Sequence, residues 1–324
     1  MAQLRIYELT PDTAPVADLE LALDKSGAGA AVATTVTNLF DTDLKRIRVG
    51  LNTTGGNARG TSAVDLQLQR SVVTQVASGN YSGLLAGRDN TVSGADSFIG
   101  SGYGNTVAGA FSGVVGGYGN QAAGDWASVG GGKNNVASGD YAAIAGGAEN
   151  TASGEEAFIP GGFGNVAAGL GSMALGFYAS ADKRGQIAQA PGRVTTTGDT
   201  QASQMVAYAT TTDATPTELL LYAGERMTIA TDSSWAFRAL IDGMTQGAAK
   251  AGGYELSGLI KNAGGTTSLV GSILKTVLGE DDAAWDATAV ADDANDALVI
   301  QVTGKAGDTV RWSAHIQITE KTYA

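Results

Sequence analysis

The residues able to do chemistry are few and scattered. The chain has one histidine, His315, and no cysteine, which excludes disulfides, thiolate metal sites, cysteine nucleophiles and a three-histidine site within one chain. His315 lies in Arg311-Trp-Ser-Ala-His-Ile-Gln-Ile-Thr319, whose alternation reads as a strand. Only three copies meeting on a threefold axis would make it a ligand site. Two acidic runs, Glu280-Asp-Asp282 and Asp292-Asp-Ala-Asn-Asp296, offer the oxygen ligands that hard cations take, but neither has EF-hand spacing. Both read as solvated loops. Glycoside hydrolysis requires two opposed carboxyl groups, and Asp96, Asp125, Asp140, Glu155 and Glu156 fall on or beside turns of a glycine-rich region. No phosphate-binding loop, nucleophile elbow or HExxH motif occurs. The expectation is a chain without catalytic residues, cofactor or metal, and not an enzyme.

Aromatic side chains recur at a spacing that recognition would use. Tyr81, Phe111, Trp126 and Tyr141 stand two residues after a glycine, and Tyr103, Tyr118, Phe163 and Tyr178 make a second series. Aligned rings would stack on sugars or fill clefts between neighbouring chains. Burial between chains gains more than exposed stacking, so packing is the expectation and no glycan site is assigned.

What positions these side chains is a repeat. Of 324 residues, 47 are glycine, an excess that requires a backbone explanation. Gly79, Gly94, Gly109, Gly124, Gly139, Gly154 and Gly169 fall fifteen apart, as do Asn90, Asn105, Asn120, Asn135, Asn150 and Asn165, with Ser180 closing the series. Apolar residues keep the same period at Leu84, Ile99, Val114, Val129, Ile144, Ile159 and Ala174. A fifteen-residue unit with two short strand-like stretches is too short for a helical hairpin. It is one coil of a β-solenoid, and coils stacked at about 4.8 Å give a rod of roughly 30 Å. The glycines and asparagines are expected at corners with positive φ, the asparagines also forming a hydrogen-bonded ladder. Alanine and valine make a thin core, marginal for one chain at ~25 cal/mol per Å2, so side-by-side packing in a homotrimer is expected.

The formal charge of −12 and pI near 4.5 repel phosphate backbones, and no basic stripe offsets them, so nucleic acid is not expected as a partner. No apolar run reaches ~18 residues and the start lacks a signal-peptide core. Membrane insertion is therefore not expected.

The coils Gly109-Ala-Phe-Ser-Gly-Val-Val-Gly-Gly-Tyr-Gly-Asn120 and Gly139-Asp-Tyr-Ala-Ala-Ile-Ala-Gly-Gly-Ala-Glu-Asn150 resemble the left-handed β-roll repeats of trimeric autotransporter adhesin heads. Their unit is slightly shorter, and no coiled-coil stalk follows here. The lead-in Asn57–Arg70, and the segments Arg184–Gly192 and Thr212–Leu219 beyond the repeat, are similar to the flanks of β-roll repeats in phage tail-fibre proteins. The resemblance implies a virion fibre subunit, made in the host cytoplasm without a signal peptide and attaching the particle to a host surface glycan or protein. A polysaccharide-degrading tailspike and a head or neck fibre without a receptor are the alternatives.

The expected organisation is all-β in three parts. Residues 1–70 read as a small β-containing module, with strands at Leu4–Leu9 and Lys45–Leu51, which the fibre analogy makes the attachment to other virion proteins. Residues 71–183 are the left-handed solenoid shaft. In 184–324 the period vanishes and short strand-like runs, among them Gln204–Tyr208, Trp235–Ile241, Leu269–Lys275 and Thr309–Thr319, suggest a β-sandwich of jelly-roll type.

Overall fold

The computed structural model describes residues 59–67 and 69–323; the two N-terminal strands expected at Leu4–Leu9 and Lys45–Leu51 lie outside the described residues. The described residues are all-β, with a solenoid of about eight turns of ~15 residues. Each coil has three sides. The first holds two-residue strands such as Gly83–Leu84, Phe98–Ile99 and Gly113–Val114, each paired in parallel with its equivalent in the next coil. A second is a line of single bridges from Arg88 through Tyr103, Tyr118, Lys133 and Ala148 to Phe163 and Phe177. The third runs from Thr91–Val92 to Ser180–Ala181. Because strand side chains alternate, each pair sends one residue inward. Leu84, Ile99, Val114, Val129, Ile144 and Ile159 thus face Val92, Val107, Ala122, Ala137, Ala152 and Ala167, all fully buried. The interior closes within a single chain, which removes the thin core as a reason for side-by-side packing.

Polar ladders stitch the coils together. The Asn105 amide donates to Oδ1 of Asn90 at 2.9 Å, and the same bond recurs from Asn120, Asn135, Asn150 and Asn165 to the asparagine one coil below. Each Nδ2 meanwhile donates upward to a glycine carbonyl, as Asn120 does to Gly132 at 3.0 Å. Every asparagine therefore ties three coils. Gln67 supplies the first acceptor, to the Asn90 amide. Below it Asp65, in the Leu84 column, is buried against Arg59 and Arg70 at 3.2 and 2.9 Å, a polar plug at the start of the core.

The reason for the glycines differs from the one expected. Neither the Gly79–Gly169 column nor the ladder asparagines have positive φ; Gly87, Gly102, Gly117, Gly132, Gly147, Gly162 and Gly176 do. Gly124 is required by contact instead, since a Cβ there would lie 2.2 Å from the Gly139 carbonyl oxygen of the next coil. Coils simply approach too closely for a side chain. The last coil is also one residue short: Phe163 bridges Phe177 and Val166 pairs with Ser180. Ala179, not Ser180, takes the asparagine position and donates to Asn165 Oδ1.

The first-side sheet does not end with the solenoid. Met173–Gly176 pairs in parallel with Ile187–Ala190, which pairs antiparallel with Thr200–Thr211, then Val310–Thr322, Ser233–Thr245 and Ala251–Ala263. One sheet of 15 strands results. A four-stranded sheet of Thr217–Glu218, Ala297–Thr303, Met227–Thr228 and Asp286–Asp292 shares a core with its C-terminal part. Trp285 and Trp312 meet edge to face at 5.3 Å there, and Trp312 lies over Gly243, where a Cβ would sit 2.2 Å from its ring. Strand Asp286–Asp292 falls between the runs anticipated from sequence, and Leu269–Lys275 is broken into Thr266–Leu269 and Leu274–Glu280.

If coil spacing sets these glycines, Gly124→Ala should destabilise the chain by about 1–3 kcal/mol. Gly146→Ala, where nothing lies within 4 Å of the new Cβ, should leave the thermal midpoint unchanged. Circular-dichroism melts of both variants check this.

Candidate functional site

The structure turns most of the sequence candidates inward. The asparagine ladder is buried. The acidic runs are hydrogen-bonded within the fold: Asp282 receives Lys250 and Lys305 at 2.9 Å, Glu280 the Tyr254 hydroxyl at 2.7 Å, and Asp293 and Asp296 the amide and hydroxyl of Thr267. Hydrogen bonds from the Lys250 and Lys305 ammonium groups hold Asp282 well below the usual carboxylate range. In the shaft, Asp140 accepts the Asp125 amide and Asp125 the Ala110 amide, a carboxylate ladder along one corner. His315 stands on the open face of the large sheet, 3.1 Å from Gln204 Oε1.

The aromatic series remain outside. Tyr81, Phe111, Trp126 and Tyr141 are exposed and all have φ between 55° and 59°. Phe111, Trp126 and Tyr141 stack at 5.1 and 5.0 Å with planes within 9°. Left-handed backbone costs a bulky residue about 1–2 kcal/mol, and ring stacking returns about 0.5–1.5 kcal/mol per pair. Within one chain the two stacked pairs offset only about half of what the three rings cost.

The second series acquires cations that sequence reading left out. The Arg88 guanidinium lies 4.4 Å from the Tyr103 ring centre, Tyr103 and Tyr118 pack at 5.3 Å, and the Lys133 ammonium is 5.9 Å from the Tyr118 ring. From Ser71 to Asp182 the sequence contains no other arginine or lysine. The two basic residues between Ser71 and Asp182 thus occupy one column, four coils long, on a chain of net charge −12. The signal was available in the numbering, since 88, 103, 118 and 133 keep the period. Tyr178 leaves the column, where Phe177 takes its place; Tyr178 has φ 61°, stands edge-on to Phe163 at 5.2 Å and lies under Arg193 at 3.8 Å. The Arg88–Lys133 strip offers ring faces and edges, phenol hydroxyls and two positive charges. That combination suits a carboxylated or otherwise anionic saccharide.

A pair of carboxyl groups with opposed tendencies lies in the C-terminal part. Arg226 bridges them, Nη2 to Glu218 at 3.1 Å and Nη1 to Asp292 at 2.9 Å. Burial, aided by Asp292, pushes Glu218 up against the pull of Arg226, whereas hydrogen bonds from Asn295 hold Asp292 down. Opposed shifts of this kind are how one site keeps an acid and a base at the same pH. Elsewhere, a groove of about 510 Å3 lies where the shaft joins the C-terminal sheet, lined by Leu175, Ile187, Gln189, Gln204, Arg238 and Gln317 among others. Arg238 is held there by both oxygens of Glu255 at 2.9 Å.

No family model matches the chain, and no curated protein does. Three solved structures of phage tailspikes are similar at low identity. One is a tailspike of Acinetobacter baumannii bacteriophage Fri1, a capsular polysaccharide depolymerase, at 8% identity and TM-score 0.23, covering 79% of this chain and 62% of that one. A tailspike of Acinetobacter baumannii phage AM24 has 10% identity and TM-score 0.26 over 79% and 57%. That of Acinetobacter phage vB_ApiP_P1 has 9% identity and TM-score 0.18 over 84% and 70%. The chain thus spans about three-fifths of the first two. These neighbours are tailspikes and not autotransporter heads. The expectation that the chain is not an enzyme is corrected by them, because one of the similar structures is a depolymerase; a solenoid without a nucleophile motif is compatible with catalysis.

A third carboxyl yields a test. Burial pushes Glu320 above the usual range although Gln201 donates to it at 2.9 Å. The folded state therefore holds the proton to higher pH than the unfolded chain. That contribution to stability is present below the ordinary carboxylate pKa and is lost as pH rises through the raised one. Glu320→Gln should melt above the wild type at pH ~7, with the difference vanishing near pH ~4, in paired thermal melts.

Proposed function

We propose that the protein is a bacteriophage tail component that engages anionic polysaccharide on the bacterial surface. The observation that supports this is the Arg88–Tyr103–Tyr118–Lys133 strip, where two basic residues of the shaft meet two exposed rings. In this reading three copies form the fibre, other virion proteins bind the N-terminal region, and strips repeated on each copy multiply weak contacts into avidity.

A polysaccharide-degrading tail protein fits the same features at least as well, and the Glu218–Asp292 pair favours it. Glu218 keeps its proton to higher pH and would give it to the leaving glycosidic oxygen, while ionised Asp292 would take a proton from the water that bonds to the sugar carbon, with Arg226 between the two carboxyl groups.

Two experiments test these readings. Binding to an immobilised carboxylated bacterial polysaccharide should weaken as salt rises, and the double variant Arg88→Gln, Lys133→Gln should lose at least tenfold in affinity; affinity equal to the wild type would overturn the strip. Incubation with the same polysaccharide should release new chain ends, with the rate falling about 10²–10⁴-fold in Glu218→Gln while binding persists. Equal release by that variant would remove Glu218 from catalysis.

A further inference from the structure

One side of the solenoid is finished differently from the others. On the first side two outward columns run along the rod, one from Gly83 through Phe98 and Phe158 to Ile187, the other from Leu85 through Val115 to Gln189. Neither contains an aspartate, glutamate, lysine or arginine. Yet they expose large apolar groups, with Leu85 52%, Phe98 44% and Val115 58% accessible. The third side is charged only at Asp182 in its last coil, and its outward residues are mainly serine, threonine, alanine and glutamine, with no large apolar group exposed. The other charges of the shaft lie on the corners and the second side. Bordering the first side is the corner column of Tyr81, Asp96, Phe111, Trp126, Tyr141 and Glu156, all held at positive φ, with Gly171 and Gly185 in the same place in later coils. Glycine adopts that conformation without strain, so rings there call for burial beyond their own stacking.

We propose that this side, with its corner rings, is the contact surface for a second copy of the same chain, running parallel and in register. The inference rests on the multi-copy fibre of the proposed function and places its interface. A like-charged copy of net charge −12 approaches most easily along the two uncharged outward columns, while Asp96 and Glu156 of the bordering corner stay exposed at the rim. The face lies flat because its outward columns include Gly83, Gly100 and Gly130, and the Phe98 ring fills the place where a Cβ on Gly113 would fall. Eight coils at ~4.8 Å with strands ~10 Å wide give roughly 400 Å2, half of the ~800 Å2 per partner of a standard interface. The corner rings, and the open C-terminal sheet that continues this side and carries the Arg238–Glu255 pair, add to that area. The Arg88–Lys133 strip stays on another side and remains open to ligand.

The absence of native cysteine makes the test direct. Leu85→Cys and Ile187→Cys stand near opposite ends of the face, roughly 34 Å apart, with Ser138→Cys on the third side as a control. Oxidation of the full chain should cross-link Leu85→Cys to itself and Ile187→Cys to itself, each at least tenfold more than Ser138→Cys. In a mixture of the two face variants, cross-links between unlike chains would overturn the parallel register. A multi-copy wild type by light scattering with cross-linking only through Ser138→Cys would overturn the face while leaving the fibre reading intact. A single-chain mass would overturn both.

Discussion

The structure depends on buried hydrogen bonds between the asparagines of successive coils. A coil of fifteen residues encloses so little that it cannot bury its own polar backbone at the turn between its second and third sides. Asn105, Asn120, Asn135, Asn150 and Asn165 solve this by accepting an amide from above and donating to a glycine carbonyl of the coil above. An amide side chain does both jobs at once, which neither a carboxylate nor a hydroxyl does with the same reach. Unsatisfied, each group would cost about 1–3 kcal/mol, so the ladder dictates the period as well as stability. The apolar columns then fall into line: whatever residue stands fifteen positions on must stand directly above.

This constraint makes exposed residues into columns too, and function can exploit that. A single tyrosine at one outward position is a surface residue; two in adjacent coils capped by Arg88 and Lys133 make a strip. The three sides carry different chemistry because the outward positions are free of the ladder. One side is apolar and uncharged, one aromatic and basic, one small and polar. The continuous 15-stranded sheet carries the first of these into the C-terminal part, where Trp285 and Trp312 anchor a core of a different kind.

The shaft was legible because its period is a one-dimensional signal: the Leu84–Ile159 and Val92–Ala167 columns can be read by counting. What counting does not provide is backbone conformation. Gly124 is glycine because the next coil is too close, and Trp126 is not glycine although its φ is positive, the opposite of what residue type alone predicts. The shortened last coil is hidden in the sequence because Ser180 preserves the arithmetic while Ala179 takes the place in space. Beyond the shaft no period helps. Asp286–Asp292 sets alanine at every second position between aspartate, threonine and valine, and alanines turned inward do not announce a core strand. The Glu218–Asp292 pair was hidden for a similar reason, since 74 residues of sequence separate two side chains held by one guanidinium.

Amide hydrogen exchange tests the ladder most directly. Amides of Asn105, Asn120, Asn135, Asn150 and Asn165 are predicted to exchange only through global unfolding, at the slowest rates in the shaft and with one common denaturant dependence. Exchange of these amides at the rates of the exposed corners, or independently coil by coil, would contradict the account.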